Sequence, residues 1–181
     1  MTTSGGISGA ITDIESEEAL LHAIKRYMFF RSINYDVDKI AENTGYEKQK
    51  IRLIKEYLFF EKIIKNQDGE FVPFDPSFAI ASSWDRLTFE PNKIQHHDKI
   101  LLEHELYEIS LYCQGYSQDE AHELATKKFD YKTESLKYYE KLRKSQKKKF
   151  KETPITFKTT SKNCLISLIV PCPEGAGNYQ K

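Results

Sequence analysis

The chain has 181 residues, enough for one domain or two small ones with a working hydrophobic core. Its formal net charge is zero although 30% of its residues are charged, so no overall field favours a nucleic acid or a membrane as partner. No stretch is apolar and long enough for a transmembrane helix, the N-terminus lacks a secretory-signal pattern, and three cysteines without zinc-finger spacing favour a reducing compartment. These features predict a cytoplasmic protein without a membrane partner.

Hydrophobic periodicity predicts an all-α fold, a compact bundle of about six to seven helices over residues 15–150. Residues 1–14 are small and polar, and we expect a flexible segment there. The first helix is predicted over 15–31, with the hydroxyl of Ser16 capping its first turn. Its predicted apolar face consists of Leu20, Leu21, Ile24, Tyr27 and Met28.

Two shorter helices are predicted near residues 37–44 and 47–62, with a turn at Gly45 that gives them helix-turn-helix spacing. Ala41 is small enough for the helices to touch there, and the inward positions are Ile40, Ile51 and Ile54. The second helix would direct outward, and into a major groove of DNA, the side chains of Lys48, Gln49, Lys50 and Arg52. Helical bundles use the same corner without DNA, so a structural corner and a nucleic-acid contact both stay open.

Turn-forming residues fill the segment 66–76, which has room for one extended stretch because its prolines exclude a helix. A short helix follows, and its Trp84 and Arg86 are candidates for lining a pocket, although a tryptophan is more often part of the core. His96 and His97 are predicted to lie in a loop, either solvated or as additional ligands. Asp98 is predicted to cap the next helix.

Two further helices are predicted on either side of Gly115, a residue that favours the left-handed conformation of a helix terminus. Ser117 and Glu120 have the spacing of a capping box for the second of them. The last helix, over 131–149, is rich in lysine, and its basic end is either a solvated surface or a contact for phosphate or a partner. Residues 151–181 are predicted to form an irregular or weakly β tail, since their β-branched run has no evident partner strand.

The candidate catalytic residues lie on the two helices around Gly115, and they are His104, Glu105, Glu108 and His122. His104 and Glu108 share a helix face, and the rise of an antiparallel pair places His122 level with residues 108–110. A carboxylate beside a histidine forms an acid–base pair. Alternatively, such groups hold a divalent metal that activates water, and the candidate ligands are His104, Glu108 and His122.

The pattern His-Glu-x-x-Glu differs from the His-Glu-x-x-His of zinc peptidases, because it lacks a second histidine one turn on. A structural interpretation therefore stays open beside the catalytic one. In that interpretation the cluster residues lie on helix surfaces and form ordinary ion pairs with Lys127 and Lys128.

Several segments resemble, in the same order, a bacterial module: SGAITD (8–13), residues 36–62, FDPSFAIASSWDRL (74–87), the LLEHELYE run and GYSQDEAH (115–122). The module is found as a C-terminal domain of phage minor head (head-morphogenesis) proteins and of polymorphic toxins, and the similarity covers roughly residues 8–150. The matching positions of its pattern are His104, Glu105, Glu108, Trp84, Arg86, Gly115, Ala121 and His122. Glu103 departs from the pattern, which often has a basic residue there.

The resemblance implies an exchangeable, effector-like domain, carried in a phage particle or delivered within a larger protein, with phage head proteins or an immunity protein as partners. Its activity in that family is uncharacterised. We therefore expect a hydrolase, with phosphodiesters such as nucleic acids as the substrate class, and an acid–base or metal site. The alternatives are a nucleic-acid-binding helix-turn-helix module and a structural or interaction module of a phage head protein.

Overall fold

The computed structural model describes residues 11–65 and 70–152, which form an α-helical bundle. The helices are α1 (Glu17–Ser32), α2 (Tyr35–Thr44), α3 (Lys48–Phe59), α4 (Phe78–Phe89), α5 (His96–Cys113), α6 (Gln118–Lys128) and α7 (Tyr131–Glu152). The predicted all-α bundle is confirmed. The predictions for residues 1–10 and for the tail beyond residue 152 lie outside the described residues.

None of the helices in the described ranges is long and apolar enough to cross a membrane. The flexible segment predicted over residues 1–14 is too long at its C-terminal end, because Ile11 is buried in the core and Ile14 packs against it.

A two-stranded antiparallel hairpin follows α3, with β1 at Lys62–Lys65 and β2 at Phe71–Pro73. The predicted helix over 47–62 is therefore too long, since α3 ends at Phe59. The adjacent isoleucines of β1 have branched Cβ atoms, which suit a strand better than a helix end. The extended stretch predicted within 66–76 is present as β2.

The buried face of α1 differs from the predicted one. It consists of Ala19, Ala23, Tyr27 and Phe30, whereas Leu20, Leu21, Ile24 and Met28 are exposed. This helix has apolar residues on more than one side, and its contacts with α4 select the side on which two alanines allow close approach. The predicted apolar face was therefore wrong except at Tyr27.

The α2–α3 corner has the geometry that its spacing predicts. Gly45 adopts φ +77°, and its N–H donates to the carbonyl of Ala41 at 2.9 Å. The predicted inward side chains, Ile40, Ile51 and Ile54, are fully buried. A buried ion pair fixes the corner from within, because Asp36 accepts from Lys55 at 2.7 Å and from the indole N–H of Trp84 at 2.9 Å. The corner is thereby tied to α4.

A second buried polar network joins α4 to the start of α5. The guanidinium of Arg86 donates to both oxygens of Asp98, at 2.9 and 2.6 Å, and to Nε2 of His97 at 2.8 Å. Asp98 also accepts from the N–H of Gln95, which is the N-cap, at 2.8 Å. The N-cap of α5 is therefore Gln95, three residues before the predicted cap at Asp98.

This earlier start changes the role of the two adjacent histidines. His96 and His97 lie in the first turn of α5, so the predicted loop is wrong at these positions. His97 is buried, and its Nε2 accepts from Arg86, so the ring is neutral with its hydrogen on Nδ1. Burial lowers the pKa of His97 to about 4, and the charge of Arg86 acts in the same direction against the opposing charge of Asp98.

A pH dependence follows for His97. The folded pKa lies below the ordinary value of 6.5, so the unfolded chain binds more protons, and stability is lost as pH falls from about 6.5 towards 4. In a His97→Gln variant, whose amide oxygen can still accept from Arg86, this loss is absent. We expect the wild type to lose about 2 kcal/mol more than the variant between pH 7 and pH 5. Urea unfolding at both pH values measures this difference in lost stability. Equal losses in the wild type and the variant would refute the prediction.

Candidate functional site

The helices α5 and α6 form the antiparallel pair that their sequence predicts. Gly115 ends the first helix with φ +95°, and Ser117 and Glu120 form the predicted capping box, in which the N–H of Ser117 donates to the Glu120 carboxylate at 3.0 Å. These local signals fix the length of the turn. As a result, His122 of α6 lies beside Glu108 of α5, as the helical rise predicts.

One carboxylate oxygen lies against two histidines. Oε2 of Glu108 is 3.1 Å from Nε2 of His104 and 2.8 Å from Nδ1 of His122, and the two imidazole rings are 5.2 Å apart. His104 and Glu108 are buried, whereas 57% of the His122 side chain is exposed. The cluster is therefore anchored in the bundle and reaches solvent at His122.

The other carboxylate oxygen of Glu108 accepts two further hydrogen bonds. Tyr57 Oη donates at 2.7 Å and Gln118 Nε2 at 3.2 Å. Burial alone would raise the pKa of Glu108, but the hydrogen bonds from His104, His122 and Tyr57 outweigh it and hold this pKa at about 2. Glu108 is consequently ionised throughout the physiological pH range.

Sequence reasoning missed both of these partners. Gln118 lies four residues before His122, so its place on the same face of α6 was readable from the sequence. Tyr57 gave no such signal, since it belongs to α3 and is 51 positions from Glu108.

The environment of each histidine gives it a distinct role. Nδ1 of His104 lies 2.8 Å from the carbonyl oxygen of Phe129, which holds the ring in one orientation. The hydrogen bond to Glu108 raises the pKa of His122 above its ordinary value, against a smaller opposing effect of burial. His104 is thus the fixed member of the pair and His122 the accessible one.

Glu105 lies beside the cluster and not within it. Its side chain is buried, and among the described residues it makes no hydrogen bond to His104, Glu108 or His122. Burial raises the pKa of Glu105 well above its ordinary value, and the charge of Glu108 acts in the same direction. Burial of Glu105 therefore favours its neutral carboxylic acid form.

The predicted alternative, ordinary ion pairs with Lys127 and Lys128, is wrong. Lys127 pairs with Glu123 at 2.7 Å, and the ammonium of Lys128 lies 4.1 Å from the ring centre of Tyr107. Neither lysine neutralises Glu108, whose partners are the two histidines, Tyr57 and Gln118.

The pocket predicted at Trp84 and Arg86 is also not formed. Trp84 is fully buried against Phe59, at 5.2 Å between ring centres, and Arg86 is occupied by Asp98 and His97. Both residues are core residues that hold α4.

The predicted nucleic-acid surface on α3 is exposed, as expected for Lys48, Gln49, Lys50 and Arg52. Two of its charges are engaged by acidic side chains, since Lys48 lies 2.5 Å from Asp38 and Lys50 lies 3.1 Å from Glu47. The basic end of α7 is similar where its side chains are described, with the pairs Lys137–Glu134 and Lys144–Glu140. Acidic partners thus reduce the positive potential on both surfaces.

The His–Glu cluster reaches the surface at His122. A cleft of about 580 Å³ lies elsewhere, near the ends of α2 and α3, and is lined by residues that include Arg52 and Phe60. No protein-family model, curated protein or solved structure matches this chain. The interpretation of the cluster therefore depends on its own geometry.

Proposed function

We propose that this protein is a hydrolytic, effector-like domain whose active site is formed by His104, Glu108 and His122. The observation that supports the proposal is a single ionised carboxylate shared by two histidines of neighbouring helices, one of them open to solvent. The Glu108 carboxylate accepts four hydrogen bonds, which is more than an ordinary surface ion pair requires. Such an arrangement is suited to activating water.

The chemistry has two forms. As an acid–base site, Glu108 accepts the Nδ1 hydrogen of His122 and orients its ring, and Nε2 of that ring takes a proton from an attacking water. As a metal site, the same side chains would hold a divalent ion, which would supply Lewis-acid activation of water. Both forms deliver a hydroxide-like nucleophile at the exposed side of His122.

Phosphodiesters are the proposed substrate class. Acid–base histidines and carboxylate-bound metals both suit attack on phosphorus, and an open surface site admits an extended chain such as a nucleic acid more readily than a deep pocket does. The resemblance to toxin and phage head modules supports an effector role, with an immunity protein or phage head proteins as proposed partners.

A nucleic-acid-binding module is the second proposal, supported by the observed α2–α3 corner. It predicts duplex binding that weakens with salt and with alanine at Lys48 and Arg52. Binding insensitive to these substitutions would reject it. A structural role in a phage head predicts instead that association with head proteins survives any change of His122.

Bacterial growth during induced cytoplasmic expression tests the effector proposal. We expect the wild type to stop growth and the His122→Ala variant to be harmless at equal abundance, since His122 is the exposed member of the cluster and its loss leaves the core intact. The His96→Ala variant, which changes an exposed histidine on α5, is the matched control and should stay toxic. Equal toxicity of the wild type and His122→Ala, or no toxicity of the wild type, would contradict the proposal.

A further inference from the structure

We propose that the cluster binds one divalent transition-metal ion of the zinc type through His104 Nε2, Glu108 Oε2 and His122 Nδ1. The inference rests on the proposed active site and adds its cofactor. Four observations on the described residues support it: the spacing of the three atoms, the hydrogen bonds of His104, the partners behind the ligands, and the chemical nature of the ligand set.

The spacing of the three atoms suits a shared ion. All three lie within 4.8 Å of one another, and Oε2 of Glu108 is 3.1 and 2.8 Å from the two nitrogens. Zinc binds imidazole nitrogen and carboxylate oxygen at about 2.0–2.2 Å, so tetrahedral ligand atoms lie about 3.3–3.5 Å apart. The two distances from Oε2 must therefore open by about 0.2–0.7 Å, and the two nitrogens, which lie within 4.8 Å of each other, must also come to about 3.3–3.5 Å. The exposed side chain of His122 can supply part of this adjustment.

The hydrogen bonds of His104 leave Nε2 as its metal-binding atom. The carbonyl of Phe129 can only accept, so Nδ1 of His104 carries a hydrogen. Nε2 is therefore the nitrogen of His104 that faces Glu108, and it can bind a cation in place of the hydrogen that it donates to the carboxylate. A bound metal ion would replace that hydrogen and the one on His122 Nδ1, because a ligating imidazole binds through a deprotonated nitrogen.

The residues behind the ligands form the supporting arrangement that metal sites use. A ligating histidine usually donates its other ring N–H to a carbonyl or carboxylate, as His104 does to Phe129. Tyr57 and Gln118 both donate to Oε1 of Glu108, which leaves Oε2 as the ligand atom. The carboxylate is thereby held for binding through one oxygen.

The ligand set selects the class of metal. Two imidazole nitrogens and one carboxylate favour zinc and related transition metals, whereas Mg²⁺ and Ca²⁺ prefer oxygen ligands throughout. Three protein ligands with an exposed side leave a fourth position for water, as in catalytic zinc sites.

The test is metal binding by the full, untagged chain, by calorimetry with Zn²⁺ and by absorption with Co²⁺, in the absence of any substrate. We expect one ion per chain and no competition from Mg²⁺. His122→Ala and Glu108→Gln should lower the affinity at least about 100-fold, and Tyr57→Phe about 10- to 100-fold through the orientation of Glu108. His96→Ala should bind as the wild type does, and circular dichroism verifies that each variant is folded.

A wild type that binds neither ion, or binding that survives both His122→Ala and Glu108→Gln, would overturn the metal site. These outcomes are separate from those of the proposed function. If the chain binds zinc but does not hydrolyse phosphodiesters, the metal site is supported and the proposed function is rejected. If the chain hydrolyses phosphodiesters but binds no metal, the proposed function is supported in its acid–base form and the metal site is rejected.

Discussion

Glu108→Gln is expected to lower phosphodiester hydrolysis by about 10²- to 10⁴-fold, the usual contribution of a positioned acid–base group. The amide removes the negative charge that both histidines contact, at 3.1 and 2.8 Å. It cannot orient His122 as a carboxylate does, and it is a poor metal ligand. Initial rates on a nitrophenyl phosphodiester and on single-stranded and duplex nucleic acid measure the effect.

A double-variant comparison makes this prediction specific. Residues that act as a unit have non-additive effects, so Glu108→Gln combined with His122→Ala should lose little more activity than the more damaging single change. The exposed Glu123→Gln, at a glutamate that pairs only with Lys127 among the described residues, is the matched control and should retain full activity. Multiplicative losses in the double variant would show that the two side chains act separately.

The part of the site that was predictable from sequence is the part fixed by local signals. Gly115, the capping box of Ser117 and Glu120, and the helical rise determine how α5 and α6 meet. Each of these signals acts over a few residues, and together they place His122 against Glu108.

The contributions from distant helices were not predictable. Tyr57 reaches Glu108 only because the α2–α3 corner directs α3 towards α5. On α3, Ile54 and Tyr57 are three positions apart and share a face, so the face that seals the corner also supports the candidate site. The helix-turn-helix spacing predicted the α2–α3 corner, but not the contact between α3 and the candidate site.

Two errors of sequence reasoning have a common physical cause. On α1, several apolar faces competed, and only the packing against α4 decided between them. At the start of α5, Asp98 accepts both from the N–H of Gln95 in the same turn and from Arg86 of α4, and no local pattern reveals the second contact. In both cases a tertiary contact contributes what the local pattern does not show.

Asp98→Asn should destabilise the fold by about 3–5 kcal/mol, the cost of leaving one partner of a buried ion pair uncompensated. Asp98 is fully buried, accepts two hydrogen bonds from Arg86 and one from the N–H of Gln95, and so joins α4 to the start of α5. With asparagine, the Arg86 charge stays buried without its counter-charge. Urea unfolding at pH 7 measures the loss of unfolding free energy.

An exposed ion pair supplies the comparison for Asp98. Glu123→Gln breaks the Lys127–Glu123 contact, whose side chains are 66% and 68% exposed, and should leave stability nearly unchanged because solvent screens the pair. The double change Arg86→Met with Asp98→Leu removes both buried charges and should recover much of the stability that Asp98→Asn loses. If Asp98→Asn costs no more than Glu123→Gln, the buried pair does not hold α4 and α5 together.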